Sequence, residues 1–368
     1  MAETSNPDLE FAARALSLAA EGVGLVSPNP LVGCVIVSTR GEVVGEGFYR
    51  KDNLVHAEAI ALEQAGERAR GGTAYVSLEP HAHHGKTPPC TEALISAGIT
   101  RVVCPIEDPN PLVSGRGFER LRAAGIAVET GLLADEASRI NEKFICWHDR
   151  QRPFVHLKLA MSLDGRISLG QSVSTRLSGE ESSARVQRLR HEHDAILIGA
   201  NTAVVDDPRL TDRSGKPRLR PLTRVVLDNR LRLPADSSLA ATTDENPTLV
   251  LTNSIDPEKA ERLAGTGVEI VPIAGGTGQL DRVLDELRRR DIQSVLVEGG
   301  TAVAGAFVDA RLVDKVTLIY APIIIGGENA PAGFGGSGPS AIADALKLTD
   351  LTVTRHGDDI EITGYPQR

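Results

Sequence analysis

Hydrophobic and polar positions along the 368-residue chain switch repeatedly between a helical period of about 3.6 residues and a strand period of about 2. Over residues 9–22 the apolar positions Leu9, Ala13, Leu16 and Ala20 fall at helical spacing and stop at a glycine. Two β-rich runs, 32–37 and 43–48, flank a polar stretch containing Gly41, the pattern of a hairpin. A helix over 57–69, a strand over 73–78, a helix over 91–97, a strand over 101–104, a helix over 117–124 and a strand over 126–129 follow. One helical stretch over 134–147 then leads into the polar run HDRQRP. This alternation predicts an α/β domain ending near residue 150.

Beyond that point the pattern restarts with a strand over 154–160. Further strands are expected at 195–198, 224–227, 248–251, 268–271, 294–297 and 315–319, with helices over 180–191 and 280–290. A second α/β domain over 151–368 follows from this, beside the first over 1–150. The Gly-, Pro- and Ala-rich segment 326–338 reads as a loop.

Length and composition agree with that division. A chain of 368 residues exceeds the size at which one core stops growing, and no apolar run is long enough to span a bilayer. The first residues, MAETSNPDLE, lack the basic and apolar regions of a secretory signal, so a cytoplasmic location is expected. A net charge of −9 and 3% aromatic residues argue against nucleic acid or an anionic membrane as partner. The partners expected are small molecules, and self-association is left open. Four cysteines are too few for a disulfide scaffold. Cys34, Cys104 and Cys146 sit in apolar strand or helix patterns and read as core, which leaves Cys90 to be examined as a ligand.

Cys90 closes a run that carries chemistry. His56-Ala57-Glu58 opens a helix, and Glu79-Pro80-His81-Ala82-His83-His84-Gly85-Lys86-Thr87-Pro88-Pro89-Cys90 follows a strand. Hydrolytic deamination of a pyrimidine needs a water made nucleophilic at neutral pH and a carboxylate to move its proton. Zinc deaminases meet this with His-x-Glu followed by Pro-Cys-x-x-Cys. Here the first element is intact, while the second has His81 at its first position and eight residues between positions 81 and 90. Taken singly, each element is an ordinary helix face or polar loop. In order, they make His56, His81 and Cys90 the metal ligands and Glu58 the catalytic proton carrier. His83 and His84 are rivals for the place of His81.

The stretch from Leu78 to Cys90 resembles the deaminase domain of the bifunctional riboflavin-biosynthesis deaminase-reductases. So do Pro28-Asn29-Pro30-Leu31-Val32-Gly33 and Asp108-Pro109-Asn110-Pro111. The resemblance implies a cytidine-deaminase-like α/β/α domain with Zn2+, acting on a phosphoribosylaminopyrimidine. That family has cysteine where this chain has His81. An imidazole in place of a thiolate adds one positive charge, which acidifies bound water further and weakens it as a nucleophile. The competing reading is therefore a monofunctional reductase with a degenerate deaminase domain.

The second half resembles the reductase domain of the same family, on Val155 to Arg166, Thr202 to Leu210 and Val297 to Ala306. That resemblance implies a dihydrofolate-reductase-like α/β fold and NADPH. It places Ala160, Thr202, Asp206, Thr252 and Gly300, Thr301, Ala302, Val303, Ala304, Gly305 and Ala306 at the cofactor. It places Ser174, Arg190, Leu210, Arg213 and Glu298 at the substrate. A buried strand ending in Glu-Gly-Gly before a small-residue helix also suits a phosphate at the helix N-terminus, although a close-packed helix start needs the same glycines. Arg190 and Arg213 would make a fork for a sugar phosphate. Lys158, in the opening strand, is a candidate for the reacting centre. Arg176 stands where the family often has tryptophan. A literal G-x-G-x-x-G, Gly333 to Gly338, lies between Pro331 and Pro339 without a preceding strand, and reads as a decoy.

Overall fold

Every residue of β1 (Gly33–Val37) is buried, which a strand tolerates only when both faces are covered. The computed structural model, which describes residues 6–52, 54–83, 88–253 and 256–367, shows how. The chain divides into two units, Met1–Gln151 and Arg152–Arg368. In the first, β1 pairs antiparallel with β2 (Val43–Phe48) and with β3 (Thr73–Val76). β4 (Arg101–Cys104) and β5 (Ala127–Thr130) extend the sheet in parallel, giving the order β2-β1-β3-β4-β5. Alternation along β1 sends Cys34 and Ile36 to α2 (Ala57–Ala65), α3 (Cys90–Ser96) and α4 (Arg116–Ala123). Val35 and Val37 face α1 (Pro7–Ala20) on the other side. The result is an α/β/α sandwich.

Close approach sets the position of α2. A Cβ on Gly45 would lie 1.9 Å from the carbonyl oxygen of Ala61, and one on Gly47 would lie 2.6 Å from that of Ala57. Two details differ from expectation. The buried face of α1 is Ala12, Ala15, Leu16, Leu18 and Ala19, while Leu9, Ala13 and Ala20 are exposed. Alanine fits either face, so the stripe chosen from spacing was rotated. The stretch 134–147 is two helices, α5 (Ala134–Ile140) and α6 (Glu142–Asp149), because the buried Asn141 side chain bonds both backbone groups of Leu31.

The second unit is built on β6 (Phe154–Ser162), β7 (Ala195–Gly199), β8 (Thr223–Leu227), β9 (Thr248–Thr252), β10 (Glu269–Pro272), β11 (Ser294–Val297) and β12 (Lys315–Ala321). These are mutually parallel, and the hairpin of β13 (Leu348–His356) and β14 (Asp359–Pro366) joins antiparallel to β12. The order is β10-β9-β8-β7-β11-β6-β12-β14-β13. On β6, Val155, Leu157, Leu159 and Met161 enter a core with α10 (Leu280–Arg289) and α11 (Thr301–Asp309). His156, Lys158 and Ala160 alternate to the opposite face. Ile196, Ile198, Val226 and Val250 pack with Ala200 and Ala203 of α8 (Ala200–Asp206) and Leu263 of α9 (Pro257–Ala264). The remaining helix, α7 (Glu180–Glu192), buries Val186 and Leu189.

Sequence patterning omitted α8, α9, β13 and β14. The residues of β13 are almost all exposed, its register shifts between Thr349 and Thr352, and Asp350 has φ 51°, so no alternation marks it as a strand. Among the described residues no helix is long and apolar enough to cross a membrane.

Among the described residues two ion pairs tie α1 to the sheet, Arg14 with Glu46 and Asp8 with Arg101, and the second is the less exposed. Asp8, in the first turn, accepts hydrogen bonds from both terminal nitrogens of Arg101 and from the Tyr75 hydroxyl. Arg101 foremost, then Tyr75, pulls the Asp8 carboxyl down to about 2. A depressed carboxylate contributes stability above its unfolded pKa and loses it as pH falls through the folded one. With both partners partly exposed, Asp8→Asn should cost only about 1 kcal/mol at neutral pH. The cost should vanish as pH falls through about 2. Denaturation followed by Trp147 fluorescence reads this unit alone, since the chain has one tryptophan; an equal loss at both pH extremes would assign the effect to packing.

Candidate functional site

His56 caps the N-terminus of α2, and Glu58 lies in that helix's first turn, 2% exposed. His81 follows β3, and Cys90 opens α3. Three segments thus meet at the carboxyl edge of β3, and the donor atoms of His56, His81 and Cys90 lie within 4.8 Å of one another. The rings of His56 and His81 have centroids 4.6 Å apart. Burial foremost, then the neighbouring His56 and His83, lowers the His81 pKa to about 4, so its lone pair is available. Burial and then Glu58 push the Cys90 thiol well up. The Cys90 thiol donates to the Glu58 carboxylate, whose Oε2 is buried without a hydrogen-bond partner among the described residues. Two imidazoles, a thiol and an adjacent carboxylate that is not a donor make the set zinc takes at hydrolytic centres, so the residues fit that metal. His83 is exposed and touches the His81 ring edge-on, while His84 to Thr87 lie outside the described residues.

In the second unit Glu298 follows β11 and meets Arg190 of α7 in a bidentate pair, at 2.8 and 3.0 Å. Lys158 Nζ stands 3.9 Å from the same carboxylate. Burial lowers the Lys158 pKa, with Glu298 opposing and Arg190 adding to the shift. Burial also raises Glu298, but Arg190 and then Lys158 outweigh it and leave the carboxyl below its usual range. Arg190 gives its remaining edge to the carbonyl of Thr211, so it is a fork for Glu298 and not the free phosphate fork expected. Arg213 is exposed, with its backbone amide on Gln187.

The cofactor candidates separate into groups. Gly300 lies against Thr202, where a Cβ would be 3.3 Å from the hydroxyl. Val303 fills the space over Gly199 and Gly299, so the starts of α8 and α11 pack side by side. Thr301 and Val303 are half-buried and Ala302 is exposed. Ala304 and Ala306 belong to the core, and Gly305 faces Gly335, whose carbonyl oxygen would be 2.1 Å from an added Cβ. The helix therefore turns only its first turn, from Gly300 to Val303, toward Thr202. Ala160 is half-buried near the end of β6, Thr252 is fully buried at the end of β9, and Asp206 and Ser174 are exposed. The Leu210 side chain is in the core. Arg176 is exposed and donates to Ser178 and Ser183. The segment Gly333 to Gly338 belongs to no helix or strand and lies along α11, with Gly335 on Thr301 and Ser337 on Asp309. Its glycines serve close packing.

Comparison with known proteins gives these clusters a context. Residues 5–106 match the family described as "Cytidine and deoxycytidylate deaminase zinc-binding region", and residues 153–362 match the "RibD C-terminal domain". Riboflavin biosynthesis protein RibD of Actinobacillus pleuropneumoniae is 40% identical over 355 residues, covering 96% of this chain and 94% of that protein. The chain belongs to the RibD family. The Escherichia coli RibD is 38% identical, with 96% of this chain and 98% of that protein covered. Acinetobacter baumannii RibD has a solved structure similar to this one, with a TM-score of 0.88, 36% identity, and 98% and 99% of the two chains covered. A Thermotoga maritima structure, described as a diaminohydroxyphosphoribosylaminopyrimidine deaminase/5-amino-6-(5-phosphoribosylamino)uracil reductase, gives 0.85 at 35% identity over 98% and 99%. As a RibD-family protein the chain is a deaminase and reductase of riboflavin biosynthesis, with zinc at the first site and NAD(P)H at the second. Its fold is the cytidine-deaminase-like and dihydrofolate-reductase-like pair.

Sequence reasoning missed the partners of these residues. That Glu298 would hold Arg190 is invisible at a separation of 108 residues. Nor was Glu79, which bonds backbone amides of the loop after β4, singled out; its place before a proline and a candidate ligand was the available signal. The pairing changes what a substitution does in this RibD-family protein. Glu298→Ala leaves Lys158 and Arg190 as buried cations without their carboxylate, so the substitution should destabilise the reductase unit. A loss of roughly 3 kcal/mol in the reductase unit is expected along with loss of reduction. Thermal unfolding of the variant checks this, and unchanged stability would show the pair to be dispensable.

Proposed function

We propose that the first unit hydrolyses the 2-amino group of 2,5-diamino-6-(5-phosphoribosylamino)pyrimidin-4(3H)-one. The second unit then reduces the ribosyl chain of the product with NADPH to the ribitylamino compound. The chain acts in the cytoplasm, in keeping with its four free thiols. The observation that carries the reading is the convergence of His56, His81 and Cys90 beside the unpartnered Oε2 of Glu58.

His56, His81 and Cys90 would hold the zinc, which supplies a Lewis acid that makes water nucleophilic at neutral pH. Glu58 takes one proton of the attacking water on Oε2 and delivers it to the ring nitrogen, then takes the proton of the newly added hydroxyl as the carbonyl forms and gives it to the departing ammonia. In the second unit NADPH supplies the hydride equivalent. Lys158, held beside Glu298, gives a proton to the opening sugar oxygen, and the first turn of α11 with Thr202 borders the cofactor. Arg213, exposed and unengaged by the pair that occupies Arg190, grips the sugar phosphate. Ser174 completes the substrate contacts, with Leu210 contributing its backbone.

Metal analysis tests the first half. The purified protein should carry about one zinc per chain. X-ray absorption should show two nitrogens and one sulfur from the protein, as His56, His81 and Cys90 provide. His81→Ala should remove metal and deamination while leaving reduction intact, and His81→Cys should bind metal more tightly, because thiolate is the softer and charged donor. An unchanged shell after loss of His81 would transfer the role to a neighbouring histidine. A wild type without zinc would leave a reductase alone.

A further inference from the structure

Glu79 is 4% exposed and stands between β3 and His81. Its Oε2 accepts from the backbone amides of Asp108 and Gly115, each at 3.0 Å. Its Oε1 accepts from the amides of Gly117 at 2.8 Å and Phe118 at 3.3 Å. Among the described residues its hydrogen-bond donors are all backbone amides. Burying a carboxylate costs several kcal/mol of hydration, roughly, unless its lone pairs are met, so the amides must converge in one arrangement. The loop is shaped to allow this. Gly115 is left-handed at φ 75°, which turns the chain into α4, and Gly117 has no room for a side chain, since a Cβ would be 2.0 Å from the carbonyl oxygen of Pro80. The two residues before His81 therefore hold the loop by hydrogen bonding and by contact.

That loop is held against the two residues that precede His81 in the chain. It starts at Cys104, the last residue of β4, and α/β sheets bind ligands at the carboxyl ends of their strands. Cys104 is buried in the core layer of α2 and α3, the helices that carry Glu58 and Cys90, so the loop leaves the sheet from that layer. Asp108 is 7% exposed. Burial foremost pushes its carboxyl up to about 6, against the opposing amide of Asn110 and with help from Glu79. Such a group is not on a solvated surface.

We infer that Glu79 is a positioning residue of the deaminase: its carboxylate pins the 105–118 loop, and with it Asp108, to the segment that delivers His81. The role rests on the deaminase reading above. Glu79 touches neither metal nor substrate and acts through the loop.

Glu79→Gln in the full-length protein tests it. The side chain keeps its size, but one acceptor becomes an NH2 group aimed at amide hydrogens. The KM for deamination should rise about tenfold or more, equivalent to ~1.4 kcal/mol, with kcat changed less than about threefold. Zinc content and reductase turnover should stay at wild-type values. Hydrogen exchange at the amides of Asp108, Gly115, Gly117 and Phe118 should accelerate, while α2 stays protected. An unchanged KM with metal retained overturns the inference, as does loss of zinc, which would assign Glu79 to the His81 segment alone. Should the wild type not deaminate, the functional reading falls by itself. Exchange rates and calorimetric binding of the diaminopyrimidine would then decide the role of Glu79, with wild-type protection and affinity in the variant overturning it.

Discussion

Where α2 crosses β2, the carbonyl oxygen of Ala61 stands so near the strand that even a methyl group on Gly45 would meet it at 1.9 Å. Gly47, two residues on and so on the same face, makes room for Ala57, whose carbonyl oxygen an added Cβ would meet at 2.6 Å. The helix can settle this deeply only because the strand carries no side chains there. Its depth fixes the height of its first turn, and the first turn carries His56 and Glu58. A helix displaced outward would separate the His56 and His81 rings, now 4.6 Å apart between centroids. A packing constraint inside the sandwich thus governs whether a metal can be held at its edge.

The reductase unit solves a different problem. Two cations, Lys158 and Arg190, share one carboxylate in a buried setting, and Glu298 stays ionised because they outweigh its desolvation. The cluster lies just before the start of α11, and the carboxylates of Glu361 and Asp212 also act on its two cations. The same charges would be costly in an apolar core, so the cluster belongs to function more than to stability.

What could be read from the chain and what could not divide by sequence separation. Most strands and helices follow from local periodicity, though α8, α9, β13 and β14 do not, and His56, Glu58, His81 and Cys90 stand in short motifs whose chemistry is local knowledge. Pairings between distant segments left no trace. Arg190 was expected to grip phosphate because a guanidinium suits one, and nothing near it announced Glu298. Spacing could not orient α1, where alanines stand on both faces. Glu79 was part of a recognised stretch, yet its four amide partners lie 29 to 39 residues away. The glycine-rich segment carried no sign of its neighbour, since its packing on α11 depends on Gly305 meeting Gly335, which only three dimensions reveal.

The outermost strand, β13, ends the reductase sheet with its free side toward solvent and with Leu351 and Val353 exposed. Such an edge offers unmatched amides and carbonyls to any extended chain that drifts past. The register shift at Thr349 to Thr352, with Asp350 in the left-handed region, breaks the row of groups and bends the ribbon. A charged residue at the bend adds a further obstacle. The irregularity that hid this strand from pattern reading thereby guards the protein against edge-to-edge aggregation.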